Sequence, residues 1–322
     1  MAITDSTFLV LSATGRQGRA VIKALIAEGA TSIVASSRNP TSDASQKLLE
    51  LEQVTKVVKA DFNDPEGIEA AINASNATHI WFTTDFWSIP FFQRTRAKEA
   101  ELGSNVIDAI KKAKVNGNKG IKHVVYSSGG DADNCPEKIH HLWGKADVEK
   151  YMASQFADSE TNITWSVIRP VAFFENVDDE ANYNPLKKGS VKMLTFPDKP
   201  VYYIAVEDIG KGSVVLLTNA EKYAGKIIEA AGAKHTGFEL AQILTEVSGV
   251  KCTYEMQMPR FALRLFFSEL YHMVIWFEHE NKGGFTVDIE EFKKIVPDAQ
   301  DAEAFFLAKG EWANGEKFES NK

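Results

Sequence analysis

Short apolar runs alternate with amphipathic helical patterns along the first half of the chain. Phe8-Leu9-Val10-Leu11 is the run expected of a buried strand, and a turn of small residues separates it from a helical pattern through Ala24, Leu25 and Ile26. The same alternation predicts strands over 31–38, 55–61, 79–84 and 122–127. Helices are expected around 45–51, from Pro65 to Ala74 and from about Arg94 to Ala113. Strands separated by single helices imply right-handed crossovers and a parallel sheet, whose ligands collect outside the carboxyl ends of the strands. The turn Ser12–Gly18, Arg38, Asp61, Thr84 and Ser127 all fall at such ends.

The second half is less regular. A helix carrying Lys145 is expected from Glu137 to Phe156, and a sixth strand over 162–169, stopped by Pro170. Apolar segments near 202–206 and 225–231 are expected to return to the large sheet. Val206-Glu207-Asp208-Ile209-Gly210 opens a helix, Thr236 to Val247 forms another ended by Gly249, and 251–256 reads as a strand. Pro259 starts one long helix to about His279, with Leu263, Phe266, Leu270, Val274 and Phe277 on a packed face. One or two helices are expected from Asp288 to Phe306, and 310–322 reads as frayed. The expected fold is α/β: a Rossmann-type doubly wound parallel sheet over residues 1–170, including the two late strands. A smaller α/β C-terminal domain, mainly 171–322, interleaves with it.

Composition narrows the partners. With 44 acidic residues against 36 Lys plus Arg, the 322-residue chain carries a net charge of −8, which argues against general affinity for a nucleic-acid backbone. Cys135 and Cys252 lie far apart without metal-ligand spacing, so two free thiols in a reducing compartment are expected, and no metal. The first residues lack a basic region followed by an apolar one, and no apolar run approaches the roughly 20 residues that span a bilayer. A cytosolic location is expected, with the nucleus open, and no membrane association.

The chemistry begins at Ser12-Ala13-Thr14-Gly15-Arg16-Gln17-Gly18, a strand-to-helix turn of the kind that presents helix-start N–H groups and the positive dipole end to a phosphate. Its small residues are spaced three and three, and Ser stands first where the dinucleotide fingerprint has Gly. Ala35-Ser36-Ser37-Arg38 ends the second strand without an acid. An acid there grips the ribose 2′-OH of NAD, whereas Arg38 accepts the 2′-phosphate of NADP, unless it is an ordinary solvated arginine. Asp61 is placed either to accept from an adenine amino group or to cap the next helix, a role Asp64 fills better. Thr84-Asp85-Phe86-Trp87 either lines the nicotinamide side or plugs the loop. Hydride transfer to a carbonyl needs a proton donor near the developing alkoxide. Short-chain dehydrogenases use a Ser, and a Tyr four residues before a Lys. Here Ser127 or Ser128 and Lys145 have suitable positions, but His141 stands where the Tyr would be. The competing readings are Lys145 paired with Glu149 one turn on, and His141 as a plain helix residue.

These motifs, together with Gly144-Lys145-Ala146-Asp147-Val148-Glu149-Lys150-Tyr151 and Ile168-Arg169-Pro170-Val171-Ala172-Phe173-Phe174-Glu175-Asn176, resemble the NmrA-like branch of the atypical short-chain dehydrogenase/reductases over roughly the first 310 residues. The redox-sensor members are more similar than the isoflavone-reductase group. The resemblance implies NADP(H), preferred over NAD(H), contacted by Ser12, Thr14, Gly15, Arg16, Gln17, Gly18, Arg38, Asp61, Phe62, Thr84, Asp85, Phe86, Lys145, Phe173, Phe174, Glu175 and Asn176. It also implies one of two roles. The first is a redox-sensing regulator that binds the dinucleotide without strong turnover and engages a protein partner as a monomer or homodimer. The second is an NADPH-dependent oxidoreductase of quinones or other small carbonyl or enone substrates, with Lys145, Ser127 and His141 as its catalytic candidates.

Overall fold

The computed structural model describes residues 3–157, 161–177, 189–279 and 283–309, which divide into two units. Unit 1 comprises Met1–Asp133, His140–Arg169 and Ile209–Ile228. Its sheet is built from β1 (Thr7–Val10), β2 (Ser32–Ser37), β3 (Val54–Lys59), β4 (His79–Thr83), β5 (His123–Ser127) and β6 (Thr164–Pro170), joined by a strand at Lys226–Ala230. The spatial order, taking that last strand as β10, is β10-β6-β5-β4-β1-β2-β3, and the pairings among β1 to β6 are parallel. The order reverses between β1 and β4, where a doubly wound sheet opens a crevice at its carboxyl edge.

Helices cover both faces because strands apolar on both sides need both covered. These are α1 (Arg16–Ala27), α2 (Asp43–Leu49), α3 (Pro65–Ser75), α4 (Arg96–Asn116), α5 (His140–Gln155) and α6 (Val206–Thr218). Val21, Ile22 and Leu25 of α1 are buried, as are Val106, Ile107 and Ile110 of α4. Small residues let α4 and α5 approach: a Cβ on Gly103 would sit 2.3 Å from Val148, and one on Gly144 would sit 2.6 Å from the Glu99 side chain. Asp64 caps α3 by accepting from the Gly67 amide at 3.0 Å.

Unit 2 comprises Asn134–Ile139, Pro170–Asp208 and Glu229–Lys322. It holds a three-stranded sheet of β7 (Ala172–Phe173), β9 (Pro200–Ile204) and β11 (Ala233–Thr236), and a two-stranded pair of β8 (Ser190–Met193) and β12 (Thr253–Met256). The Phe174 ring is fully buried between Tyr203 and Phe305, with centroids 5.1 Å from each. Helix Gly237–Ser248 starts with a Thr236/Glu239 capping box and ends at Gly249 in the left-handed region.

Two expectations are corrected here. The segment near 202–206 does not return to the large sheet: Pro200–Ile204 pairs with β7 and β11, and only Lys226–Ala230 returns. The two units alternate along the chain: 134–139 belong to unit 2 and 209–228 to unit 1. The long aromatic helix is two helices, Arg260–Phe266 and Ser268–Glu278, broken where Phe267 leaves helical geometry at φ −137° and ψ 62°. The break turns Phe266 into solvent, while Leu263, Val274 and Phe277 are buried. The segment 310–322, expected to fray, lies outside the described residues.

Candidate functional site

The crevice edge starts at the β1–α1 turn. Ser12 takes the left-handed conformation at φ 58°, at a cost of about 1 kcal/mol for a residue with a Cβ. Its hydroxyl donates to the Thr83 carbonyl at 3.3 Å. Gly15 is the N-cap of α1 and brings no side-chain cap, so the helix start keeps the N–H groups that suit an anion. Gly18 lies against the turn it follows: a Cβ there would sit 2.4 Å from the Ser12 carbonyl oxygen and 2.7 Å from the Ala13 Cα. At Gly15 the nearest atom would be 3.3 Å away. Gly18→Ala is therefore expected to lose roughly 1–3 kcal/mol by overpacking. Gly15→Ala should lose clearly less. Thermal melts of the two variants decide this, and equal losses would refute the close-approach assignment.

Hydrogen bonds tie four elements into a ring around this edge. Ser12 reaches Thr83 at the end of β4, and the Thr83 hydroxyl donates to the Ser127 carbonyl at 2.8 Å. The Ser127 hydroxyl at the end of β5 then donates to Gln17 Oε1 at 2.6 Å, in the first turn of α1. Ser127 is fully buried, and its proton is directed at Gln17. Ser128 differs: its hydroxyl is buried with no partner among the described residues.

Arg38 is exposed at the end of β2, and no hydrogen bond or ion pair engages its guanidinium among the described residues. The loop behind it is fixed by Ser37, which accepts from the Asn39 amide at 3.1 Å, and by Ser45, whose hydroxyl donates to the Asn39 carbonyl at 2.8 Å. Asp61 accepts from the Asn63 amide at 2.9 Å, which lowers its carboxyl below the ordinary range. Burial opposes that shift, and the charges of Arg38 and Lys59 add to it. Beside it, the Phe62 carbonyl accepts from Asn105 at 2.9 Å. At the end of β4 the exposed Asp85 carboxylate accepts from the amides of Trp87 and Ser88 at 3.2 and 3.3 Å.

Lys145 is not paired with Glu149. Its ammonium contacts Glu99 Oε1 at 3.0 Å, the Thr84 carbonyl at 2.8 Å and the Thr84 hydroxyl at 3.0 Å, which uses its three donors. Glu99 is 0% exposed on α4 and also accepts from the Thr84 hydroxyl at 2.5 Å, while its Oε2 has no partner among the described residues. The Tyr126 hydroxyl lies 2.9 Å from that of Thr84, and burial, reinforced by the Glu99 charge, raises its ionisation well above the usual phenol range. Glu149 is taken by Arg169, which donates to it through Nε at 2.9 Å and to Asp133 through Nη1 at 2.9 Å. His141 packs its ring 5.4 Å from Trp87 and 5.8 Å from Phe86.

Unit 1 thus gathers the turn, Thr84–Phe86, Ser127, His141 and Lys145 at its carboxyl edge, with Arg38 and Asp61–Phe62 at the ends of β2 and β3. Phe173, Phe174, Glu175 and Asn176 belong to unit 2. There the Phe174 ring is core, Glu175 accepts from the Val206 amide at 3.0 Å, and Asn176 is exposed. Sequence reasoning missed Glu99. It falls on the apolar stripe of α4 with Leu102, Val106 and Ile110, and a charge on such a stripe is the signal that a buried partner exists.

The profile of the NmrA-like family matches residues 4–306. The chain belongs to the NmrA-like family. Among curated NmrA-like relatives, an oxidoreductase of Cladobotryum sp, FrzB, is 28% identical over 276 residues, 78% of this chain and 76% of that one. Two solved structures share the fold. An NADPH-dependent quinone oxidoreductase of Escherichia coli, solved with NADPH, superposes with a TM-score of 0.68 at 24% identity, covering 92% of this chain and 97% of that one. The negative transcriptional regulator NmrA, solved with NADP, superposes with a TM-score of 0.68 at 17% identity, covering 97% and 98%. Among the described residues no helix is long and apolar enough to cross a membrane, and no cluster of His, Cys, Asp or Glu could hold a metal ion.

Proposed function

We propose that this NmrA-like protein binds NADP(H) at the carboxyl edge of unit 1 and reads the state of the dinucleotide instead of consuming it, as a redox-sensing regulator of the cytosol or nucleus. The residues fit the group. An uncapped helix start and the close-packed Gly18 suit the pyrophosphate, and the unengaged guanidinium of Arg38 suits a 2′-phosphate. Bound NADPH supplies a hydride; what the chain would have to supply is a proton. The observation that carries the sensing reading is Lys145: all three of its N–H donors are held by Glu99 and Thr84. Ser127 donates to Gln17, and His141 is the shorter ring in the tyrosine position. Sensing then requires that NADP and NADPH make different contacts, so that one state favours a partner-binding conformation.

The test joins binding to turnover. NADPH titrated against intrinsic tryptophan fluorescence is expected to bind more tightly than NADH. Arg38→Ala should weaken NADPH by about 10- to 100-fold, the equivalent of one charge-assisted contact, while leaving NADH nearly unchanged. Equal losses for both cofactors would remove the 2′-phosphate assignment. Sustained NADPH oxidation with quinones, enones or aldehydes, abolished by Lys145→Ala, would overturn the sensing reading.

One observation favours the second reading, an NADPH-dependent reductase of quinones or small carbonyl compounds. Ser128 is a buried hydroxyl with no partner at the end of β5, free to donate to a developing oxyanion. Loss of turnover in Ser128→Ala with NADPH affinity intact would assign the protein to that class.

A further inference from the structure

On the outer surface of unit 1, α1 and α2 leave an open groove of about 510 Å³ between them. Its floor is apolar, made by Ile26 and Leu48 with Leu51 at one end. Its rim carries Arg19 and Lys23 from α1 and Lys47 from α2, and no acidic side chain among the described residues lines it. Residues 19, 23 and 26 recur at helical spacing, so they form one stripe along α1. In a chain with net charge −8, three cations around an apolar strip concentrate positive potential against the general trend. The heads of Arg19 and Lys47 make no hydrogen bond or ion pair among the described residues. Neither residue takes part in the hydrogen-bond ring or the Lys145 network.

The shape narrows the occupant. Small-molecule sites bury roughly 70–90% of their ligand, and a groove open along its length cannot. A membrane surface needs a broad set of projecting apolar side chains, whereas Leu48 on the floor is recessed at 4% exposure and Leu51 projects only at one end. An extended peptide needs a strand edge for its backbone, and the groove is walled by helices whose own backbone groups are internally bonded. A helix satisfies its own backbone and presents an apolar stripe flanked by charge.

We propose that the α1/α2 groove docks an acidic amphipathic helix of a partner protein. Its apolar stripe lies on Ile26, Leu48 and Leu51, and its carboxylates meet Arg19 and Lys47. This surface does not depend on whether unit 1 binds or reduces with a dinucleotide, and an NADPH titration of the same samples keeps the two questions apart.

The test uses the full chain and a fluorescein-labelled peptide of about 15 residues, long enough for marginal helicity, with Leu at helical spacing and Glu elsewhere. A second peptide carries Lys in place of every Glu. Anisotropy is expected to show saturable binding of the Glu peptide, weakened by added salt, and no binding of the Lys peptide. The double variant Arg19→Glu/Lys47→Glu should lose the Glu peptide by about tenfold or more and gain the Lys peptide, with its melting transition retained. The proposal is overturned by absence of saturable binding, or by equal affinity of wild type and double variant for the Glu peptide. It also fails if phosphatidylserine vesicles bind in place of the peptide.

Discussion

Lowering the pH from 7 to 5 is expected to remove about 4 kcal/mol of folding stability through two histidines at the amino ends of β4 and β5. His79 and His123 face each other in register on neighbouring strands. Burial is the first cause that takes each ring down to about 4 from an ordinary 6.5, and the Lys122 charge adds to the effect on His79. The Thr78 hydroxyl lies 2.8 Å from His79 Nδ1 and the Thr164 hydroxyl 2.8 Å from His123 Nδ1, and a hydrogen bond to Thr164 opposes the shift at His123 without cancelling it. The sign follows from proton uptake. Between pH 6.5 and 4 the unfolded chain binds protons at both positions and the folded chain does not, so stability falls as pH falls through that window. Each ring accounts for about 2 kcal/mol at pH 5, approaching a ceiling of about 3.4 kcal/mol at lower pH. Urea melts at pH 7, 6 and 5 would measure the slope, and His79→Gln/His123→Gln should flatten it. A slope unchanged in the double variant would place the acid sensitivity elsewhere.

Glu99→Ala is the second large effect. It would strand the Lys145 ammonium, only 12% exposed, with no carboxylate to balance it. Breaking a buried ion pair from one side costs about 3–5 kcal/mol, because the remaining charge keeps its desolvation penalty. Removing both charges avoids that penalty, so Glu99→Met/Lys145→Met should recover most of the loss. Tyr126 adds an independent readout, since losing the Glu99 charge should bring its phenol ionisation down from its raised position. Denaturant midpoints of the three variants check this, and a double variant as unstable as Glu99→Ala would mean that packing, not charge, dominates.

The six parallel strands were legible because strands buried on both faces leave uninterrupted apolar runs, and Pro65 and Gly249 marked helix ends by backbone chemistry alone. What local pattern does not encode is the partner. An apolar segment at 200–204 carries no mark of which sheet it joins. The apolar spacing from Leu263 to Phe277 runs unbroken through the bend at Phe267. At the site, Arg38 and the turn were readable from position along the strands. The one-turn rule offers Glu149 only as a competing partner for Lys145, and Arg169, from a strand 20 residues away, has stronger claim on that carboxylate through paired guanidinium contacts. Glu99 competes for Lys145 from a helix 46 positions earlier, a contact that only the fold creates.

The ring through Ser12, Thr83, Ser127 and Gln17 bears on how any anion would be held there. Its hydroxyls already donate to carbonyl and amide oxygens within the ring, so an incoming phosphate meets main-chain N–H groups fixed in advance, with few side chains left to immobilise. Such a seat grips by rigidity, and binding to it would leave the strand ends where they are. A ligand-dependent signal would then have to pass through parts outside the ring, of which the exposed Arg38 and the Asp85–Ser88 turn are the nearest in unit 1.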